Sequence, residues 1–162
     1  MFSTTHNPLW VPAVHEAGHA VAAIKLNLDL KVVTVQGAYS CRARLGSLAE
    51  DPHNGIVTAD PADEACDAIY TLAGERAELV LDPEKPVDAC LSASDREHFQ
   101  TLRPGKVNRQ ELEEWRCEME RQADLLVTQN WNSILKVARA LLERGQLGRS
   151  DVQRAIDDCN SC

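Results

Sequence analysis

The chain has 162 residues, 44% of them apolar and 26% charged, which sets aside disorder and collagen-like order and fits one domain with a real core. Only 4% are aromatic, so Leu, Val, Ile and Ala have to fill that core. The 17 basic and 25 acidic residues leave a net charge of −8, which argues against a general nucleic-acid binder because phosphate neutralisation needs a basic face.

No run of residues reads as a membrane span. The most apolar stretch is Ala20 to Ile24, and Lys25, Asn27 and Asp29 interrupt the chain just after it, whereas a spanning helix needs about 20 mostly apolar residues. The opening Met1-Phe2-Ser3-Thr4-Thr5-His6 lacks the basic region and apolar run of a signal peptide, so a cytoplasmic location is the default expectation. The six cysteines, Cys41, Cys66, Cys90, Cys117, Cys159 and Cys162, are then expected to be mostly thiols. Their spacing fits no zinc finger. Cys159-Asn160-Ser161-Cys162 stands alone, and a structural zinc needs four ligands. A single domain is expected over residues 1–162, with tails at about 1–8 and 159–162.

Asn7-Pro8 and Pro12 punctuate the entry to a helix predicted over Val11 to Leu26, which Asn27 and Asp29 end. Lys31 to Gln36 is β-branched and reads as a strand, turned by Gly37. A second strand is predicted over Ser40 to Leu45, with Gly46-Ser47-Leu48-Ala49 continuing or following it. A loop covers Asp51 to Asp60. Asp60-Pro61-Ala62-Asp63-Glu64 then looks like an N-cap, a Pro at the first helical position and first-turn acids. The helix it opens runs to about Leu81 and stops at Asp82-Pro83.

A Pro-containing loop leads to Leu91, and Ser94 is placed as the cap of a short helix from Asp95 to Leu102. Asn108 caps a long helix through about Asn130, with a bend and continuation to Arg144, closed by Gly145 and Gly148. Its apolar stripe, from Leu112 to Leu141, fits packing inside one domain or a subunit interface. Ser150-Asp151-Val152-Gln153 reads as a capping box for a last helix ending near Asp158. Two or three strands followed by helices only predict an α+β, helix-dominant fold, with a small N-terminal β-sheet and a C-terminal helical bundle.

His15-Glu16-Ala17-Gly18-His19 carries the chemistry. Residues i and i+4 of a helix are offset by about 40° around the axis and about 6 Å along it, so two imidazoles can face one zinc ion. Glu16 flanks that ion without ligating it, and its carboxylate can take a proton from the attacking water. The helix continues as Ala20-Val21-Ala22-Ala23-Ile24, so it is expected to be buried, and buried His and Glu without partners are costly. Gly18 costs about 1 kcal/mol against Ala in a helix interior, which makes sense where another backbone or a substrate approaches closely.

The third ligand is not fixed by the motif. An extended metzincin pattern needs Gly and His where this chain has Ala22 and Lys25, and no thermolysin-type NExxxE string occurs. His53, Asp88, Asp95, Glu97 and His98 remain candidates.

The hexapeptide His15 to Ala20, HEAGHA, resembles the peptidase domain of the FtsH-type ATP-dependent zinc metalloproteases, peptidase family M41. The resemblance runs on through the strand pair with Arg42-Ala43-Arg44-Leu45-Gly46. It continues in Ala73-Gly74-Glu75-Arg76-Ala77-Glu78, where the family has Gly-Gly-Arg-x-Ala-Glu, and in Leu91-Ser92-Ala93-Ser94-Asp95, where the family's loop ends in its third zinc ligand. It covers about Val11 to Asp158.

The resemblance implies a zincin-like zinc metallopeptidase domain, with His15, His19 and Asp95 as ligands and Glu16 as general base. An N-terminal helix acid such as Asp95 is also stabilised by the helix dipole. His98, one turn on, is the runner-up. Gly46, Ser47 and Leu48 would lie on the edge strand that receives an extended peptide. The family's ATPase module has no counterpart here, and no Gly-x-x-x-x-Gly-Lys-Ser/Thr string occurs. The expected substrate is therefore an unfolded or flexible polypeptide. A homo-oligomer and a separate partner ATPase both stay open. The alternative is a zinc-binding regulatory or interaction module of the same fold that does not cleave.

Overall fold

A computed structural model describes residues 7–36, 40–45, 61–90 and 93–160, with side chains omitted at 36, 40–45, 61–63 and 159–160. The elements in chain order are α1 (Trp10–Lys25), β1 (Leu30–Gln36), β2 (Ser40–Leu45), α2 (Pro61–Leu81) and α3 (Ala93–Thr101). They continue with α4 (Arg109–Gln129), α5 (Trp131–Arg144), β3 (Gln146–Gly148) and α6 (Arg149–Asn160). One short 3-10 turn, Val87–Ala89, lies between α2 and α3. The fold is α+β and helix-dominant.

Helix α1 is the hub. Every residue from Pro12 to Ala23 is buried, so the helix is enclosed on all sides, between α2 and α5 and against β1. It ends in a Schellman arrangement. Leu28 N–H donates to the Ala23 carbonyl at 2.8 Å and Asn27 N–H to the Ile24 carbonyl at 3.1 Å. Asn27 takes the left-handed conformation this requires, with φ of 56°. Gly18 is where α2 comes closest: a Cβ there would lie 2.6 Å from the Ala73 carbonyl oxygen and 2.9 Å from Ala77 Cβ. The close approach of another backbone, expected from the sequence, is that of α2.

The sheet is antiparallel with order β2-β1-β3. Val33 pairs with Ala43 on one side and with Leu147 on the other. The sheet is therefore not wholly N-terminal: its third strand arrives after α5. Gly145 caps α5 with φ of 75°, and its carbonyl accepts from Val35 N–H at 2.9 Å. Gly145 and Gly148 were expected only to end a helix. A three-residue strand is too short to show alternation in sequence.

Two caps differ from expectation. Helix α3 begins at Ala93, so Ser94 lies inside its first turn and does not cap it. Helix α6 begins at Arg149, so Ser150 is likewise internal. Asp151 does the capping there, accepting the Gly148 N–H at 3.1 Å. The box at α4 is as expected: Asn108 accepts from Glu111 N–H at 2.9 Å and Glu111 accepts from Asn108 N–H at 2.9 Å.

Two apolar groups hold these pieces. Val14, Val21, Val33, Ile134, Leu141 and Ile156 join α1, β1, α5 and α6. Ile69, Leu72, Phe99, Met119 and Ala123 join α2, α3 and α4, with Phe99 stacked on Trp115 at 6.4 Å. Much of the predicted apolar stripe is thus used inside the chain: Met119, Ile134, Val137 and Leu141 are buried. The second group seats α3 on α2 and so fixes where Asp95 stands. No helix among the described residues is long and apolar enough to cross a membrane.

Candidate metal centre

His15 and His19 stand one turn apart on α1, both about 95% buried, and Asp95 stands in the first turn of α3, more open to solvent. Three atoms from these residues form a near-equilateral triangle. His15 Nε2 to His19 Nε2 is 3.1 Å, His19 Nε2 to Asp95 Oδ2 is 3.2 Å, and His15 Nε2 to Asp95 Oδ2 is 3.3 Å. Ligand bonds of about 2.0–2.1 Å in a tetrahedron put neighbouring ligand atoms about 3.3 Å apart. The triangle has that edge. Among the described residues this is the cluster of His, Cys and acidic side chains that could hold a metal ion.

The opposite ring nitrogens decide what the triangle contains. His19 Nδ1–H donates to the Tyr70 carbonyl at 2.8 Å, and a carbonyl can only accept. His15 Nδ1–H donates to Glu78 Oε1 at 2.7 Å. Lys85, a donor only, engages the other oxygen of Glu78, so that carboxylate is in its acceptor form. With both Nδ1 protonated, each imidazole in its neutral form would turn an Nε2 lone pair towards the other and towards Asp95 Oδ2. A single proton serves one or two of the three contacts. A divalent cation serves all three at once.

Electrostatics agree in direction. Burial pulls the His15 pKa down, but hydrogen bonds to Asp95 and Glu78 and the charges of Glu16 and Glu78 raise it to about 9. Burial pushes the Asp95 pKa up, but His15 and His19 hold it well below the ordinary carboxylate range. The cluster attracts positive charge. Tyr70, whose ring lies 5.1 Å from that of His19, has its hydroxyl pKa pushed up by burial and by the charges of Glu16, Asp95 and Asp67. It remains a neutral phenol. Glu16 is 5% exposed, on the same helix as the two histidines.

Helix α2 presses against the histidines at Gly74. A Cβ there would lie 2.4 Å from His19 Nε2 and 2.7 Å from His15 Nε2. Glycine leaves the space beside both Nε2 atoms clear. Glu78, one turn further along α2 and 1% exposed, orients His15, which is the outer-shell role that metal-bound imidazoles usually require. Arg96, next to Asp95, donates to Glu75 at 2.8 Å, to the Val87 carbonyl at 2.8 Å and to Asp88 at 2.9 Å. Those bonds tie the start of α3 to α2 and to the connection between them.

Of the four candidates that fall within the described residues, Asp95 is the one beside the histidines. Asp88 faces solvent and pairs with Arg96, and Glu97 is exposed. His98, the runner-up, points elsewhere, bonding Asp67 at 2.9 Å with its side chain half exposed. His53 and the proposed peptide-edge residues Gly46, Ser47 and Leu48 lie outside the described residues.

Sequence reasoning missed Gly74, Glu78, Lys85 and the Tyr70 carbonyl. One signal was available. Glu75 and Glu78 sit among Leu72, Ala73 and Ala77 of the buried stripe, and a carboxylate on a buried face demands a partner. No protein-family model matches the chain, and no curated protein matches it significantly.

Proposed function

We propose that this protein is a zinc metallopeptidase of zincin-like fold that hydrolyses peptide bonds in unfolded or flexible polypeptides. The observation that carries the reading is the triangle of His15 Nε2, His19 Nε2 and Asp95 Oδ2, 3.1–3.3 Å on a side, with Glu16 one residue from the first histidine. Two imidazoles and a carboxylate suit zinc better than the all-oxygen cages of calcium or magnesium. The HEAGHA wording and the order of elements, both resembling the M41 peptidase domain, favour peptide hydrolysis over other uses of such a site.

A zinc ion held there supplies a Lewis acid for the scissile carbonyl and lowers the pKa of the attacking water. The chain's own groups do the rest. Glu78 and the Tyr70 carbonyl hold the two imidazoles in the tautomer that presents Nε2. The Glu16 carboxylate takes the proton from water and passes it to the leaving amine. The neutral Tyr70 hydroxyl adds no negative charge beside the site.

Both histidine side chains are 5–6% exposed and Asp95 is 30% exposed, so a substrate enters from the Asp95 side. The net charge of −8 disfavours nucleic acid as a partner. The free thiols of Cys90 and Cys117 suit the reducing cytoplasm.

The test is cleavage of unfolded casein and of a fluorogenic peptide library, with chelator, without it, and after zinc is restored. Chelator-sensitive, zinc-restored cleavage is expected. Metal-loaded protein that cleaves no flexible polypeptide would contradict the peptidase reading and favour the binding module.

A further inference from the structure

The described part of the connection from α2 to α3, residues 82–90, is fastened at two places, and both fastenings end beside a proposed metal ligand. At one end Arg96 holds the Val87 carbonyl and Asp88 while also holding Glu75 of α2. At the other end Lys85 reaches down to Glu78, whose second oxygen holds His15. The Glu78 side chain is fully buried and that of Lys85 is 20% exposed. One buried carboxylate thus joins a loop lysine to a ligand imidazole.

From this geometry we propose that Lys85 is a positioning residue for the metal centre, acting on His15 through Glu78. The proposal rests on the metal reading above and deepens it. The Glu78 carboxylate has two oxygens, and each has a different duty: Oε1 accepts from His15 Nδ1–H and Oε2 accepts from Lys85. Held at both oxygens, the carboxylate cannot rotate about its terminal bond, and the plane of the His15 ring is fixed by it.

Without the ammonium, Glu78 keeps a buried charge with its Lys85 contact gone, a strongly unfavourable state. It relieves that state by turning towards water, and the His15 ring loses its fixed orientation. Nothing in the HExxH spacing supplies this lysine. It comes from a loop seven residues further along the chain than Glu78. Outer-shell partners of metal-bound histidines affect metal affinity by about 10–100-fold, and Lys85 would act one link further out.

The experiment is a cobalt titration of the full chain, read by the visible absorption bands that report the ion's coordination, with zinc affinity measured by competition. Lys85→Met keeps the apolar stem and removes the charge. It is expected to weaken metal binding by about 10-fold and to change the cobalt spectrum. Lys85→Arg restores both. In a Glu78→Gln background, where no buried charge needs the lysine, Lys85→Met changes affinity by less than about 2-fold further, which is the non-additivity that an action through Glu78 requires. The double variant also removes the buried charge that could prevent Lys85→Met from folding.

If Lys85→Met lowers the thermal midpoint but leaves affinity and spectrum at wild-type values, Lys85 is a structural strut and the proposal fails. Additive effects in the Glu78→Gln background overturn it equally. A wild type that takes up no cobalt overturns the metal centre itself, and this assignment falls with it.

Discussion

Replacing Gly74 by Ala should do the opposite of what helix propensity alone would give. Ala is favoured over Gly in a helix interior by about 1 kcal/mol, so on an exposed face the change would stabilise α2. Here the added methyl meets His19 Nε2 at 2.4 Å and His15 Nε2 at 2.7 Å, against 3.4 Å for the start of ordinary contact. The overlaps are 1.0 and 0.7 Å, the differences from that limit. Both rings are already fixed from behind, by the Tyr70 carbonyl and by Glu78, and cannot retreat freely.

Overpacking of this kind costs about 1–3 kcal/mol, so the metal-free Gly74→Ala protein should be no more stable than wild type or about 2 kcal/mol less. The metal should feel more. A metal site tolerates about 0.2 Å of ligand displacement, and the overlaps exceed that several-fold. Zinc affinity measured by chelator competition should fall at least about 100-fold.

Gly18→Ala is the control. Its methyl would meet the Ala73 carbonyl oxygen at 2.6 Å and Ala77 Cβ at 2.9 Å, both on α2, so it should lower the thermal midpoint while the folded protein keeps its metal. Wild-type zinc affinity in Gly74→Ala would refute the idea that glycine is there to clear the ligand atoms.

Three further outcomes are expected. Asp95→Ala should lose metal while His98→Ala keeps it, because His98 is bonded to Asp67 at the surface; the reverse pattern in metal analysis would show that the third ligand was wrongly chosen. Glu16→Gln should keep the fold and the metal and lose at least about 100-fold in peptide cleavage, and unimpaired turnover would remove Glu16 from the mechanism. The metal-free protein should lose stability as pH rises. Burial lowers the His15 pKa but Asp95 and Glu78 raise it from 6.5 to about 9, so its contribution is full below pH 6.5 and is lost as pH climbs through 9. The loss is on the order of 3 kcal/mol, or several degrees in the midpoint, and zinc-loaded protein, whose His15 has no such proton to give up, should stay level across that range. Equal slopes for the two forms would contradict the assignment of His15 as a ligand.

What the sequence made legible was local. The bounds of α2, Pro61 and Leu81, fall where the sequence places them, and the Asn108–Glu111 box and the Asn130 break between α4 and α5 arise from side chains acting on their own backbone within a turn. The two histidines come from helix geometry alone. Elements whose cause is distant were missed or misplaced. Strand β3 exists because β1 has a free edge where the chain leaves α5, a fact no three-residue stretch encodes. Helix α3 begins before Ser94 because Arg96 and Phe99 pin it to α2 and α4. Asp95 lies 76 residues from His19, and spacing could not choose it over Asp88 or His98; the resemblance did, and the geometry places it beside the histidines. Lys85 was illegible for the same reason, since its role depends on a loop returning over α2, whereas the pattern marks Glu78 only as a carboxylate on a buried stripe, with no partner assigned.

The central claim is that His15, His19 and Asp95 hold one zinc ion. Anomalous diffraction collected on both sides of the zinc absorption edge tests it most directly. One strong peak per chain is expected, within about 2.0–2.2 Å of His15 Nε2, His19 Nε2 and an Asp95 carboxylate oxygen. No peak in zinc-soaked crystals, or a peak bound by other residues, would contradict the account.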